Sequence, residues 1–167
     1  MKTSVVAGAV FAAVAAVPLS AGAATMQTGN VGNWLIGAYS DDATGKFSHC
    51  AMTASYRSGI YMVFAVSRDM QWSLGFANPQ WELTNGTAYT VGLSIDGRTP
   101  LLEQAKAVNS HQVEISLPPN AYVFERFRHG LQLRVDAVGT SFFFNLNSTS
   151  RGLADLLLCA EHFSGRR

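Results

Sequence analysis

Residues 87–117 read TAYTVGLSIDGRTPLLEQAKAVNSHQVEISL, and their period decides the fold. Tyr89, Val91, Leu93 and Ile95 alternate with Thr90, Gly92 and Ser94. Val113, Ile115 and Leu117 alternate with Gln112, Glu114 and Ser116. A side chain changes face at every residue of a strand, so each stretch lays an apolar row on one face and a polar row on the other. Asp96-Gly97 suits positive φ and marks a hairpin turn. Leu131, Leu133, Val135 and Ala137 repeat the pattern against Gln132, Arg134 and Asp136.

Working outward, strands are predicted at 33–40, 47–56, 59–67, 72–77, 87–95, 100–107, 111–117, 131–138 and 141–147. Arg57-Ser58-Gly59 and Thr84-Asn85-Gly86 supply turns between them. Short, evenly spaced strands predict a mainly β fold, an antiparallel β-sandwich or barrel of about nine short strands. Two runs, 60–66 and 142–144, are apolar on both parities and read as central strands covered on both faces. Two helices complete the pattern. The first spans 119–129, with Asn120 as cap and Gly130 as a left-handed stop. The second covers about 150–163, where Leu153, Leu156, Leu157 and Ala160 follow helical spacing.

The chain has 167 residues, with 48% hydrophobic and 14% charged. That supports one domain with a real core and argues against disorder. Residues 1–23 read as a secretory signal: Met1-Lys2, an apolar run from Val5 to Val17, then Ala21-Gly22-Ala23 as cleavage site. A membrane anchor is the alternative, but the run falls short of the ~20 residues a span needs. Residues 24–32 are expected as a flexible lead-in, 33–163 as the β-rich domain and 164–167 as a tail. Cleavage removes Lys2 alone, leaving eleven basic against eleven acidic residues. A broad nucleic-acid footprint is thereby excluded. An exported chain meets an oxidising compartment, periplasmic or extracellular. Cys50, inward by strand parity, and Cys159, on the flank of the last helix's apolar stripe, are expected as a disulfide clamping that helix to an early strand; two buried thiols are the alternative.

No phosphate loop, Cys-x-x-Cys pair, His-Glu-x-x-His or Gly-x-Ser-x-Gly elbow occurs. His49, His111, His129 and His162 are at least eighteen positions apart, so no local metal motif forms, and no cofactor is implied. His49 and His162 read as solvated residues, and 41–45 as a plain hairpin turn. Trp72, Phe76, Trp81 and Tyr89 form an aromatic cluster. It reads either as a platform for a sugar, peptide or lipid, or as ordinary core. Arg126 and Arg128 crowd the end of the first helix and read either as an anion-holding pair or as a solvated basic face.

The layout resembles the invasion-associated locus B type of small exported proteins of α-proteobacteria. The matching features are the leader, Trp34 opening a strand, Cys50 on the next, and Ile95-Asp96-Gly97 ending a later one. Phe127 to Gly130 before Leu131 follows, then Phe144-Asn145-Leu146 leading into the Leu-rich helix through Leu157. The resemblance implies a β-rich periplasmic domain linked to envelope or host-interaction phenotypes, with no catalytic residues to carry over. The expectation is an exported binding module, its partner an envelope protein, a glycan or a small ligand. The competing expectation is a hydrolase-like envelope enzyme assembled from distant residues, with His49, His129, Glu82, Glu103 and Asp136 as suspects.

Overall fold

The computed structural model describes residues 23–118 and 120–165. In chain order these form β1 (Ala23–Val31), β2 (Trp34–Asp41), β3 (Phe47–Ser55), β4 (Tyr61–Ser67) and β5 (Trp72–Ala77). Then come β6 (Ala88–Ile95), β7 (Leu101–Asn109), β8 (Gln112–Leu117), α1 (Ala121–His129), β9 (Gln132–Ala137), β10 (Thr140–Asn145) and α2 (Thr149–Ser164). All ten strands belong to one antiparallel sheet in the order β1-β2-β3-β4-β5-β8-β7-β6-β9-β10. Residues 1–22 of the expected leader, Pro119 and residues 166–167 lie outside the described residues.

The nine predicted strands are β2 to β10; the tenth, β1, replaces the expected lead-in. It pairs with β2 from Ala23↔Asp41 to Val31↔Trp34. Apart from the exposed Met26 its residues are small or polar, and over 24–31 only Val31 is buried. Backbone pairing holds this strand, so it leaves no apolar alternation to read. A second correction concerns the run 142–144. It lies in β10, at an edge of the sheet, with Phe142 and Phe144 facing inward and Phe143 60% exposed. β4 does lie within the sheet, between β3 and β5, but its outward residues Tyr61, Val63, Ala65 and Ser67 are only half-buried, so it is not covered on both faces.

The inner face carries Cys50, Met52, Met62, Phe64, Leu74, Leu93, Ile115 and Leu133, all fully buried. α2 lies across β2, β3 and β4. It buries Leu153, Leu156 and Ala160 against them. Gly152 brings the helix close: a Cβ there would meet Met52 Sδ at 3.0 Å and Trp34 Cδ1 at 3.4 Å. The Trp34 indole N–H donates to the Asn147 carbonyl at 3.1 Å, so the buried ring is satisfied. The Cys50–Cys159 disulfide joins β3 to α2 with Cα atoms 6.2 Å apart. It closes a separation of 109 residues and fits an oxidising compartment.

Asn120 caps α1, its Oδ1 accepting from the Val123 amide at 2.8 Å. Gly130 does not adopt the expected left-handed stop; its φ is −69° and ψ 150°. Glycine is needed there for closeness, since a Cβ would lie 2.9 Å from the Arg126 carbonyl oxygen. Phe127 meets Phe64 edge-on at 5.2 Å, seating α1 on β4.

The sheet curls until β10 faces strands far from it in the order. Phe144 packs on Phe76 of β5 at 5.1 Å and on Tyr56 at 5.0 Å. The Tyr56 hydroxyl donates to the Asn145 carbonyl at 2.8 Å. No hydrogen-bonded ladder joins β10 to β1 among the described residues, so the sheet is not closed.

Candidate functional site

A cavity of about 440 Å³ opens at one end of the inner face. Its walls are the inward residues near the ends of six strands. Phe76 of β5 and Val113 of β8 form one side, Val91 of β6 and Ala105 of β7 the floor. Val135 and Ala137 of β9, with Phe142 and Phe144 of β10, form the other side. The hollow follows from side-chain size. Val, Ala and Val stand where the other end of the sheet carries Trp34, Met52 and Phe64, and neither α1 nor α2 descends here to fill the gap.

The β5–β6 loop, residues 78–87, covers the cavity with Trp81 and Leu83. It is fastened to the β7–β8 turn. The Asn78 amide donates to the His111 carbonyl at 2.9 Å, and the Leu83 amide to the Ser110 carbonyl at 2.8 Å. The His111 ring sits 2.7 Å from the Trp81 carbonyl through Nδ1, which donates there. Four lining residues are exposed and mark the mouth: Gln80, Glu82, Val138 and Thr140. Val138 and Gly139 form the β9–β10 turn with φ of 50° and 74°. A β-branched residue is strained at positive φ, and this one stands 81% exposed beside the mouth.

Tyr56 links the two sides of the curl behind this cavity. Burial pushes its hydroxyl up to about 12, so it remains a hydrogen-bond donor through neutral pH.

The structure brings Phe76 and Trp81 together on this cavity, with Tyr89. It sets Trp72 apart, at the other end of β5. There Trp72 packs edge-on against Phe124 of α1 at 4.7 Å, beside a separate depression of about 230 Å³. Arg126 lies over the Tyr122 ring, 5.6 Å from its centroid, and donates to the Thr99 carbonyl at 3.3 Å. Arg128 pairs with Glu125 at 3.2 Å, and His129 contacts the same carboxylate at 2.9 Å. Arg128 is thus held within α1 and Arg126 between Tyr122 and Thr99 of the β6–β7 connection, although each Nε is buried without a partner.

His49 lies on the outer face, stacked on Tyr39 at 5.1 Å. Burial lowers its pKa, while the Glu114 charge works the other way. Asp136 is held by Arg134 and the Ser141 hydroxyl, which keep its carboxyl below the usual range. His49, His129 and Glu82 line three different depressions. Among the described residues no three of His, Cys, Asp and Glu cluster as metal ligands, and no helix is long and apolar enough to cross a membrane.

Sequence reasoning missed most of the lining, including Val91, Ala105, Val113, Val135 and Ala137. Their inward parity is legible. Their convergence is not, because it depends on the strand order β5-β8-β7-β6-β9-β10.

These features define a curled antiparallel sheet, its inner face half packed by helices and half hollow. No protein-family model matches the chain, and no curated protein does. The architecture is shared with a crystal structure, that of invasion-associated protein B from Bartonella henselae. The two are 18% identical with a TM-score of 0.59, over 81% of this chain and 98% of that one. The likeness is one of fold, and at that level it bears out the resemblance read from the residues.

Proposed function

We propose that the protein is an exported, non-catalytic binding module, acting in the periplasm or at the cell surface, and that the cavity receives a small apolar ligand. The cavity carries this reading. Its volume falls within the range of ligand sites, and its walls are aliphatic and aromatic with a few polar groups at the mouth. The curled sheet would act as an incomplete barrel, with α1 and α2 filling the half of its inner face that the cavity does not occupy. The leader-like residues 1–23 and the disulfide support export. The fold neighbour from Bartonella henselae is named for an association with invasion, which agrees with a role at the envelope or toward a host. Against the hydrolase-like reading stand the separate positions of His49, His129 and Glu82.

The test is fluorescence of an apolar dye such as N-phenylnaphthylamine with the purified mature protein. Saturable binding is expected, lost when Ala137→Phe fills the cavity. Absence of saturable binding, or binding indifferent to Ala137→Phe in a folded variant, would overturn the reading. N-terminal sequencing of the exported protein should begin at Ala24 or Thr25; retention of residues 1–23 would overturn the export reading.

A further inference from the structure

The chemistry of the mouth narrows the ligand class. This step rests on the reading that the cavity takes an apolar ligand. The interior offers no group that could compensate a charge, so a charged ligand must leave its head at the mouth. Among the lining residues there is one carboxylate, Glu82, and no Lys, Arg or His. Glu82 makes no ion pair among the described residues. Its chain neighbour Trp81, and Phe142 of β10, line the same cavity and offer it aromatic rings. Aromatic faces attract cations. Gln80 and Thr140, the other polar residues at the mouth, carry no charge. His111, which holds the Trp81 carbonyl, does not line the cavity.

We infer that the ligand is a cationic amphiphile, its apolar body in the cavity and its positive head at the mouth beside Glu82. An anionic head such as a fatty-acid carboxylate would meet an unpaired like charge with no cation to offset it.

The experiment displaces the bound dye with decyltrimethylammonium and decanoate, each below its micelle concentration, and with decanol below its solubility limit, at neutral pH and low salt. The cation is expected to displace at about tenfold lower concentration than the carboxylate, as a partly screened charge contact supports. In Glu82→Gln the gap should shrink to about twofold or less, and added salt should erode it in the parent protein. Equal or tighter binding of decanoate, or a gap unchanged by Glu82→Gln, overturns the inference while leaving an apolar binding site in place. If no probe displaces dye, or Ala137→Phe leaves all displacements unchanged, the cavity reading falls and this inference with it.

Discussion

The two ends of the inner face are built from the same sheet and packed in opposite ways. At one end Trp34, Met52 and Phe64 meet Leu153, Leu156 and Phe127, all fully buried. A disulfide fixes α2 above them. At the other end Val91, Ala105, Val113, Val135 and Ala137 stand among the rings of Phe76, Phe142 and Phe144, neither helix covers them, and an open cavity of about 440 Å³ remains. Empty apolar space forgoes dispersion contacts, so it persists only if the rest of the domain supplies the stability. The packed end supplies it. This division lets the hollow end keep a strained turn at Val138 and a loop-covered mouth without threatening the fold.

The comparison breaks most sharply under matched truncations. Phe64→Ala should cost about 4 kcal/mol in denaturant unfolding, the usual range for a buried aromatic. Phe142→Ala, whose ring already borders a void, should cost about half of that or less. Equal costs would mean that the cavity is closed in solution. Next is the disulfide. Replacing both Cys50 and Cys159 by Ala should cost about 2–4 kcal/mol. Hydrogen exchange should speed up in α2 before the central strands. Uniform acceleration would show that the bridge does not selectively hold the packed end.

Small-to-large changes reverse the sign. Ala160→Leu, on the α2 face against the sheet, should lose about 1–3 kcal/mol through overpacking. Ala137→Leu, into the hollow, should be neutral or stabilise by about 0.5–1 kcal/mol. A similarly small effect is expected at the seam between the two sides of the curl. Tyr56→Phe removes one hydrogen bond, worth about 1 kcal/mol. The folded-state pKa of Tyr56 is raised above its ordinary value of 10.0 to about 12. Its contribution is therefore complete below pH 10 and is lost as pH rises toward 12. Unfolding midpoints measured across that window should fall more steeply for the parent than for Tyr56→Phe. Parallel curves would show that Tyr56 is not protected in the folded state.

Much of the fold was legible locally. The alternation in 89–95, 112–117 and 131–137 set the strands and their inward faces. Strand parity aimed Cys50 inward and the helical stripe did the same for Cys159, and they do pair. The failures have one origin. β1 is held by backbone pairing, so its side chains carry no period, and the β10 run 142–144 is apolar on both parities yet lies at a sheet edge because strand order puts it there, leaving Phe143 exposed. Gly130 looked like a left-handed stop and is instead a close-approach glycine, a property of Ile95 and Arg126 beside it.

The candidate site divides in the same way. Phe76, Trp81 and Tyr89 are near in sequence, and the fold keeps them together; Trp72 shares their strand or loop neighbourhood and is carried to α1. By itself the sequence determined strand faces, turn positions, helix stripes and the cysteine pairing, because each depends on residues a few positions apart or on having one possible partner. Strand order, curl and the cavity were decided only by the tertiary structure. A hollow is a relation among side chains of six strands, and its volume depends on what fails to reach it from across the sheet.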